Sequence, residues 1–398
     1  MNPPINTSLS SWQIFVIFLR LGCTSFGGPI AHLGYFREAF VAQRRWLTDR
    51  NFTNLVAYCQ LMPGPASSQV GILLGFQQRG HFGALAAWLG FTLPSALLMI
   101  GLAVGMLAYG AKLPSGMLHG LEIAAVAVVA QAIWGMTRSL YTGGLFGGLT
   151  LVSASVTLLF PVAWMQFMVI ACAALVGSLT GMVHSTHNET ALPLRLGRRE
   201  GAFLLGLFLV FLTGLPFLSW YSGSQALTIF DAFYRSGSLV FGGGHVVLPL
   251  LQAEVVSTGW VSESDFMSGY GAAQAMPGPL FTFAGYLGAV STSSPSGWIG
   301  GLIALIAIFL PAYLLILGGL PFWSQISHHP RAQSALTGVN AAVIGLLLAA
   351  FYQPVWQTAI FNTLDLLIAV LAFFGLMFWR LPVLLIVVMC VFAGMLIN

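Results

Sequence analysis

Charged side chains are scarce in this sequence. Asp, Glu, Lys and Arg make up 6% of its 398 residues and hydrophobic residues make up 58%, whereas an ordinary soluble protein has roughly 25% charged residues. A soluble protein of this length could not cover its surface with so few charges. The composition therefore excludes a cytosolic enzyme, a disordered chain and a secreted disulfide scaffold, and it predicts that most of the surface faces lipid.

Lysine and cysteine are also rare. The 14 basic residues include one lysine, Lys112, and are scattered, so neither a basic face for nucleic acid nor a lysine-containing phosphate loop can be assembled. The four cysteines lie inside apolar segments, without disulfide or metal-site spacing. The sequence also lacks a metalloprotease His-Glu pair and a nucleophile elbow. We therefore expect no enzyme activity, no cofactor, no metal site and no nucleic-acid partner.

Long apolar runs fill the chain instead. About thirteen stretches approach the ~20 residues that a spanning helix needs, among them 12–36, 55–78, 225–250 and 267–290. Most consist of Leu, Ala, Val and Gly, and the small residues among them let helices approach closely. This pattern predicts an all-α polytopic membrane protein that crosses the lipid bilayer many times.

The chain contains an internal repeat. Around residue 20 it reads Arg20-Leu-Gly-Cys-Thr-Ser-Phe-Gly27-Gly28-Pro29, and around residue 235 it reads Arg235-Ser-Gly-Ser-Leu-Val-Phe-Gly242-Gly243-Gly244. The register continues to Gln60-Leu-Met-Pro63-Gly64-Pro65 and Gln274-Ala-Met-Pro277-Gly278-Pro279. We expect a first repeat at 1–183, a connector with a linking helix at 184–224, and a second repeat at 225–398.

The charges of matched linkers indicate opposite orientations for the two repeats. Residues 37–54 hold four arginines, whereas their counterparts at 251–266 hold three acidic residues and no basic one. Loops rich in arginine stay on the cytoplasmic side of a membrane. We therefore predict two inverted-topology repeats, an architecture typical of alternating-access transporters with a shared site near the bilayer midplane.

Glycine and proline motifs interrupt the apolar runs at matched places. Proline removes an amide donor and glycine permits backbone angles that other residues rarely adopt, so Gly-Gly-Pro, Gly-Gly-Gly and Pro-Gly-Pro predict broken or re-entrant helices. Backbone groups freed in this way must be satisfied by protein or trapped water. A helix that restarts after a break offers unpaired amides and the positive end of its dipole to an anion. A simple kink is the alternative interpretation.

Few polar side chains lie near these breaks. Arg20 and Arg235 precede them by about two helical turns, and a guanidinium offers two parallel donors to a tetrahedral oxyanion. Snorkelling to the membrane interface is the alternative. Gln60 and Gln274 offer amide donors, either to a substrate or between helices. The substrate-binding candidates are the arginines, the glutamines, the residues of the breaks and one histidine: Arg20, Gly27, Gly28, Gln60, Pro63, Gly64, Arg235, Gly242, Gly243, His245, Gln274, Pro277 and Gly278.

Two ionisable groups are candidates for proton coupling. Glu122 is the lone acid of an apolar segment, with Asn340 at the matching place in the second repeat, and His245 directly follows the second break. A carboxyl inside the membrane is a candidate proton carrier, and histidine titrates near neutral pH. An ion pair with one of the two arginines is the alternative for Glu122. Asp365 is expected to be the first-turn acid that follows the helix cap Asn362, and His32 is expected to pack.

These motifs resemble the chromate ion transporter family. The resemblance rests on the strings at Arg20 and Arg235 and on Met-Pro-Gly-Pro at 62–65 and 276–279, and it covers nearly the whole chain. The resemblance is to the long form of the family, in which two homologous domains are fused with opposite topology. It implies a multi-pass protein of the bacterial inner membrane that exports chromate, driven by the chemiosmotic gradient, and confers chromate resistance. It also implies that the arginines and the interrupted motifs are the functional positions.

The substrate and the assembly stay open at this point. Chromate and sulfate are both tetrahedral dianions of similar size, so the same donors could hold either small-molecule oxyanion. A passive anion channel is a further alternative to a secondary transporter. For the assembly, a homodimer is the candidate, although the sequence carries no readable trace of the oligomeric state.

Overall fold

The computed structural model describes residues 9–109, 114–141, 143–160, 163–181, 196–241, 244–326 and 329–397. Within these ranges the chain is helical and contains no β-strand. The repeats predicted at 1–183 and 225–398 each supply one set of helices, and a long helix lies in the predicted connector. The exact boundaries of these units stay a prediction.

Over the described ranges, the first set contains seven helices: α1 (Ser11–Thr24), α2 (Gly28–Arg37), α3 (Asp49–Leu61), α4 (Ala66–Tyr109), α5 (Ser115–Leu140), α6 (Gly144–Leu159) and α7 (Ala163–Thr180). A π-helical turn at Glu38–Gln43 extends α2. The long helix α4 is kinked where Arg79 and Gly80 leave helical backbone angles, so it acts as two helices joined end to end.

The linking helix α8 (Arg198–Ser222) leads into the second set: α9 (Gln225–Ser238), α10 (Val247–Val255), α11 (Glu263–Ala275), α12 (Phe283–Val290), α13 (Gly297–Gly319), α14 (Trp323–Ile326), α15 (Pro330–Ala350), α16 (Gln357–Ala359), α17 (Thr363–Met377) and α18 (Val383–Ile397). Short 3₁₀ turns at Gly244–Val246 and Leu280–Thr282 precede α10 and α12. A π-helical turn at Phe351–Trp356 follows α15.

Five helices among the described residues are long and apolar enough to cross a membrane: α4, α5, α8, α13 and α15. Six shorter apolar helices accompany them. The protein is therefore an all-α, multi-pass membrane protein, as the composition predicts.

The interrupted runs fold back on themselves. The ring of Phe18 in α1 lies 5.8 Å from the ring of Phe36 and 5.1 Å from that of Phe40, beyond the Gly-Gly-Pro break. In the second repeat, Gly269 of α11 lies against the ring of Tyr286 of α12, beyond the Pro-Gly-Pro motif. Residues at similar numbers of positions before and after a break thus lie close together. These runs are helical hairpins, and the simple-kink alternative is wrong for them.

The same kind of capping residue begins the matched helices α3 and α11. The hydroxyl of Thr48 accepts a hydrogen bond from the amide of Asn51, and the hydroxyl of Ser262 accepts one from the amide of Asp265. A capping side chain satisfies one of the unpaired amides of the first turn. The local sequence therefore fixes where both hairpins that carry Pro-Gly-Pro begin.

The second half of each repeat packs against helices of the other repeat. Helix α5 packs against α17 and α18, whereas α15 packs against α6 and α7. At both crossings a glycine lets two backbones touch: Gly120 faces the backbone of Cys390, and the matching Gly338 faces the backbone of Ala173. Small residues permit this close approach between membrane helices. The reciprocal contacts join the repeats into one core, while their opposite orientation in the bilayer stays a prediction.

Helix α8 lies outside this reciprocal arrangement. It packs against α9 and α13, with Gly201 close to the backbone of Gly318, and exposes large apolar side chains such as Phe203 and Trp220. At its first turn, the carboxylate of Glu200 lies 2.6 Å from Nε2 of His81 in α4. A helix that joins the two sets is the kind of connector that the predicted inverted repeats would need.

Candidate functional site

Two reciprocal backbone hydrogen bonds bring the four interrupted motifs together. The amide of Gly64 donates to the carbonyl of Val240 over 2.7 Å, and the amide of Gly278 donates to the carbonyl of Ser25 over 2.8 Å. Val240 and Ser25 directly precede the Phe-Gly-Gly strings of the second and first repeats. Each Pro-Gly-Pro loop therefore docks on the glycine break of the other repeat. The region where the four motifs meet is the motif junction.

Glycine is required at both of these loops. Gly64 has φ of +126° and Gly278 has φ of +93°, angles that residues with a side chain rarely adopt. A Cβ atom on Gly64 would come within 2.7 Å of the Cβ of Ala312, and one on Gly278 within 2.8 Å of Oγ of Ser95. The two loops are thus held against matching positions of α13 and α4.

The first break opens a helix N-terminus. Gly27 and Gly28 have φ of +98° and +77°, and α2 begins at Gly28 with proline in its first turn. Proline is tolerated there because the first amides of a helix have no intrahelical partner. These amides and the dipole of α2 favour an anion. The corresponding glycines of the second break, Gly242 and Gly243, lie outside the described residues.

His32 links the first break to the segment after the first Pro-Gly-Pro. It is buried, and its Nε2 atom lies 3.1 Å from the carbonyl oxygen of Ser25 while its Nδ1 atom lies 3.3 Å from Oγ of Ser67. Both ring nitrogens therefore have partners, as expected of a packing residue. Because Ser25 also accepts from Gly278, three of the four motifs meet around this imidazole.

Two buried hydroxyl groups beside this junction have no hydrogen-bond partner among the described residues. They are Oγ of Ser25, in the first break, and Oγ of Ser68, just after the first Pro-Gly-Pro. Buried polar atoms in native proteins are nearly always paired. A hydroxyl can donate to an oxyanion, so these two atoms are candidate substrate contacts.

His245 and the two glutamines occupy different positions around the junction. Nδ1 of His245 lies 2.8 Å from the phenol oxygen of Tyr270, which ties the second break to α11. Helix α11 leads directly into the second Pro-Gly-Pro. Gln274 is half-buried near the end of α11, whereas Gln60, at the end of α3, is exposed. The matched glutamines therefore differ in burial, and the two repeats are not equivalent at these positions.

Arg235 is fully engaged by two carboxylates. Its Nε donates to Asp231 over 3.0 Å, and its two Nη atoms lie 2.8 and 3.1 Å from the oxygens of Glu254. Its side chain is 12% exposed. A guanidinium that is already paired in two directions can meet a substrate only if a carboxylate gives way.

Arg20 differs from Arg235 in this respect. Its side chain is exposed and pairs with no acidic residue in the part of the chain that the structure describes. The positions of the first repeat that match Asp231 and Glu254 are Val16 and Ala39, so no carboxylate is supplied there. Of the two predicted arginines, Arg20 is therefore the one whose charge stays uncompensated.

Glu122 lies in a second polar cluster, away from both arginines. Oγ of Ser264 donates to one carboxylate oxygen over 2.9 Å, and the other lies 3.6 Å from Nδ1 of His119. Nε2 of the same imidazole lies 3.0 Å from Asp365. The arginine pairing considered for Glu122 is therefore wrong.

Asn362 caps α17 and Asp365 is the acid of its first turn, as expected, and Asp365 accepts a hydrogen bond from the amide of Asn362. Its ion pair with His119 was not anticipated from the sequence. The spacing of His119 and Glu122, one helical turn apart, is the signal that could have found this cluster.

A cavity of about 720 Å³ adjoins the junction between α7, α8, α9, α13 and α15. Pro63 and Phe241 line it where the first Pro-Gly-Pro meets the second break, and nearly all of its other lining residues are apolar. An apolar wall cannot replace the hydration of a dianion. The cavity itself is therefore not the anion site.

The sequence matches the chromate transporter family over residues 12–178 and again over 227–395. The chain belongs to the chromate transporter family. It is 28% identical over 349 residues to a probable chromate transport protein of Synechococcus elongatus, covering 87% of this chain and 85% of that protein. It is 27% identical over 350 residues to a chromate transport protein of Pseudomonas aeruginosa, covering 87% of this chain and 82% of that protein.

An archaeal relative covers still more of the chain. An uncharacterized transporter of Methanocaldococcus jannaschii is 29% identical over 408 residues, which cover 98% of this chain and 94% of that protein. No solved structure matches the chain. The family match includes every interrupted motif of both repeats, so the junction described above belongs to the part of the chain that is shared with these transporters.

Proposed function

We propose that this protein is a secondary active transporter that exports chromate across the bacterial inner membrane and thereby confers chromate resistance. Membership of the chromate transporter family and the names of two relatives support a chromate substrate. The observation that carries the proposal is the junction of the four interrupted motifs. It places free helix amides, unpaired hydroxyls and backbone hydrogen bonds at the contact between the two repeats.

Charge balance at this junction suits a dianion. In this proposal Arg20, which lies about two helical turns before the first break and has no acidic partner among the described residues, supplies one positive charge, and the N-termini of α2 and α4 supply roughly half a charge each. Together these offset about two negative charges. Arg235 adds no net charge because Asp231 and Glu254 surround it. We therefore assign the main electrostatic role to Arg20, Gly27 and Gly28.

The reciprocal docking of the loops suggests how access alternates. The Gly64 loop rests on the second break and the Gly278 loop rests on the first. A movement that opens one junction while the other stays closed would expose the site to one side at a time. In this proposal the two junctions open to opposite sides because the two copies are predicted to have opposite orientations.

Flux measurements on purified protein in liposomes test this proposal. Labelled chromate should cross the membrane faster than in protein-free liposomes, and an imposed proton or potential gradient should drive it uphill. Flux that no gradient drives uphill would indicate a passive channel. Strong inhibition of chromate flux by excess sulfate would assign the site to sulfate or to oxyanions in general. Absence of any oxyanion flux would refute the proposal.

The assembly is tested separately. We propose a homodimer, and mass measurement of the detergent-solubilised protein decides it. A monomeric mass would remove this part of the proposal without affecting the transport assignment.

A further inference from the structure

A buried cluster of ionisable groups lies apart from the motif junction. His119 of α5 stands between two carboxylates, with Nδ1 3.6 Å from Glu122 and Nε2 3.0 Å from Asp365 of α17. The imidazole also stacks on the ring of Phe361, with centroids 5.5 Å apart and planes at 17°. Exposure of the three ionisable side chains is 11%, 7% and 0%. Three titratable side chains are thus withdrawn from water within one contact network.

A net negative charge on this buried cluster is energetically unfavourable. With a neutral imidazole the two carboxylates carry two negative charges, and each further proton lowers that charge by one. Unpaired charge inside a membrane protein is expensive, so ionisable groups in such positions bind partners or protons. In the described ranges no arginine or lysine pairs with any of the three groups. Protons are therefore the positive charges available to balance the cluster.

The neighbouring helices add little that could titrate in place of these residues. Helix α18 contributes the thiol of Cys390, and α16 contributes no ionisable side chain. On α11, Glu263 is exposed and Asp265 accepts from the hydroxyl of Ser262. The positions of the second repeat that match His119 and Glu122 carry Thr337 and Asn340. The chain therefore holds this cluster once and not twice.

The cluster is connected to the motif junction through one rigid helix. Ser264, in the first turn of α11, donates to Glu122 over 2.9 Å. The same helix carries Tyr270, which contacts His245 at the second break, and it ends at the Pro-Gly-Pro loop whose Gly278 docks on Ser25. At 1.5 Å per residue, Ser264 lies only about 18 Å from that loop. A change at Glu122 can thus reach both breaks.

The cluster also lies close to one surface of the protein. His119 is about 6 Å from the first residue of α5, on the side of the linker 251–266. That linker is acidic and is predicted to face the outside. The side chain of His119 is 11% exposed, and the arginine-rich linker 37–54 is predicted to face the other side of the membrane.

We propose that His119, Glu122 and Asp365 form the site that takes up and releases the coupling proton of the transport cycle. When Glu122 takes up a proton it becomes a weaker acceptor, so the hydrogen bond from Ser264 weakens. Helix α11 can then shift the Pro-Gly-Pro loop at its end. Proton release restores the bond. The proposal rests on the transport function proposed above and names its coupling ion and the residues that bind it. It assigns His245 a structural contact with Tyr270 in place of a proton-carrying role.

A static role makes a different prediction. If the three groups only clamp α5 to α17, removal of the Glu122 charge would reduce stability and all transport alike. If they carry a proton, Glu122→Gln keeps the volume and offers Ser264 a neutral acceptor, as the protonated acid does, but can no longer gain or lose a proton. Exchange of chromate between equal pools needs no coupling ion to be released, whereas uphill transport does.

The experiment compares these two activities in liposomes. For Glu122→Gln we expect chromate exchange within about threefold of wild type, and loss of at least about tenfold in accumulation driven by a proton gradient. Glu200→Gln is the matched control, because Glu200 forms the other carboxylate-histidine pair of the described residues, with His81, at the connector. It should keep both activities. Full gradient-driven accumulation by Glu122→Gln would overturn the proposal, and so would equal loss of both activities with normal folding.

A chemical readout keeps the inference testable apart from transport. A hydrophobic carbodiimide modifies carboxyl groups that are protonated in apolar surroundings, and mass spectrometry locates the modified residue. We expect modification at Glu122 that falls as the pH rises, with a changed pH dependence in His119→Asn. Modification that is absent or independent of pH would overturn the proton site. Failure of wild-type transport with this labelling intact would refute the proposed function alone.

Discussion

Replacement of Gly64 by alanine tests the docking of the Pro-Gly-Pro loop most directly. A side chain at φ of +126°, a sparsely populated backbone region, costs about 1–3 kcal/mol. The new Cβ would also meet Cβ of Ala312 and Nε2 of Gln69, each at 2.7 Å, and overpacking of this kind costs about 1–3 kcal/mol. The sum predicts a loss of about 2–6 kcal/mol in the free energy of unfolding. It also predicts a wider gap between this loop and Val240, and hence slower chromate flux.

Two companion variants separate the backbone and steric parts. Gly223 has φ of +62°, and a Cβ atom added to it would have no neighbouring atom within 4 Å, so Gly223→Ala should lose only the backbone contribution of about 1–2 kcal/mol. The double variant Gly64→Ala, Ala312→Gly should recover part of the steric loss, giving a coupling energy of at least about 0.5 kcal/mol. Unfolding by SDS in mixed micelles measures stability, and liposome flux measures activity. If Gly64→Ala is no less stable than Gly223→Ala, the close contact with α13 is refuted.

Two further predictions concern the arginines and the topology. Arg235→Ala leaves Asp231 and Glu254 buried without their partner, so it should lose about 3–5 kcal/mol of stability. Arg20→Ala should stay within about 0.5 kcal/mol of wild type, yet cells that express it should accumulate more chromate. Equal stability of the two variants in a melting assay would contradict this difference. Cysteine replacements of Trp46 and Trp260 should react with impermeant reagents from opposite sides of the membrane, and labelling from the same side would remove the inverted topology.

Much of the architecture could be predicted from local properties of the sequence. The scarcity of charge required a bilayer, because a water-exposed surface needs polar groups. The glycine and proline motifs located the breaks, since backbone angles and missing amides depend on the residues present at that point. Similarity between the strings at Arg20 and Arg235 showed the repeat without any knowledge of contacts. These features need only neighbouring residues, and so the sequence by itself determined them.

Partners between distant segments were decided by the tertiary structure. The motifs at Gly64 and Gly278 look equivalent in sequence, and only packing shows that each docks on the break of the other repeat. Arg20 and Arg235 also look equivalent, yet among the described residues carboxylates from two helices surround only the second. Glu122 contacts His119 and Ser264, whereas the sequence suggested an arginine as one possible partner. Helical periodicity fixes which residues share a helix face, but it does not fix which other helix covers that face, because that choice depends on the packing of the whole bundle.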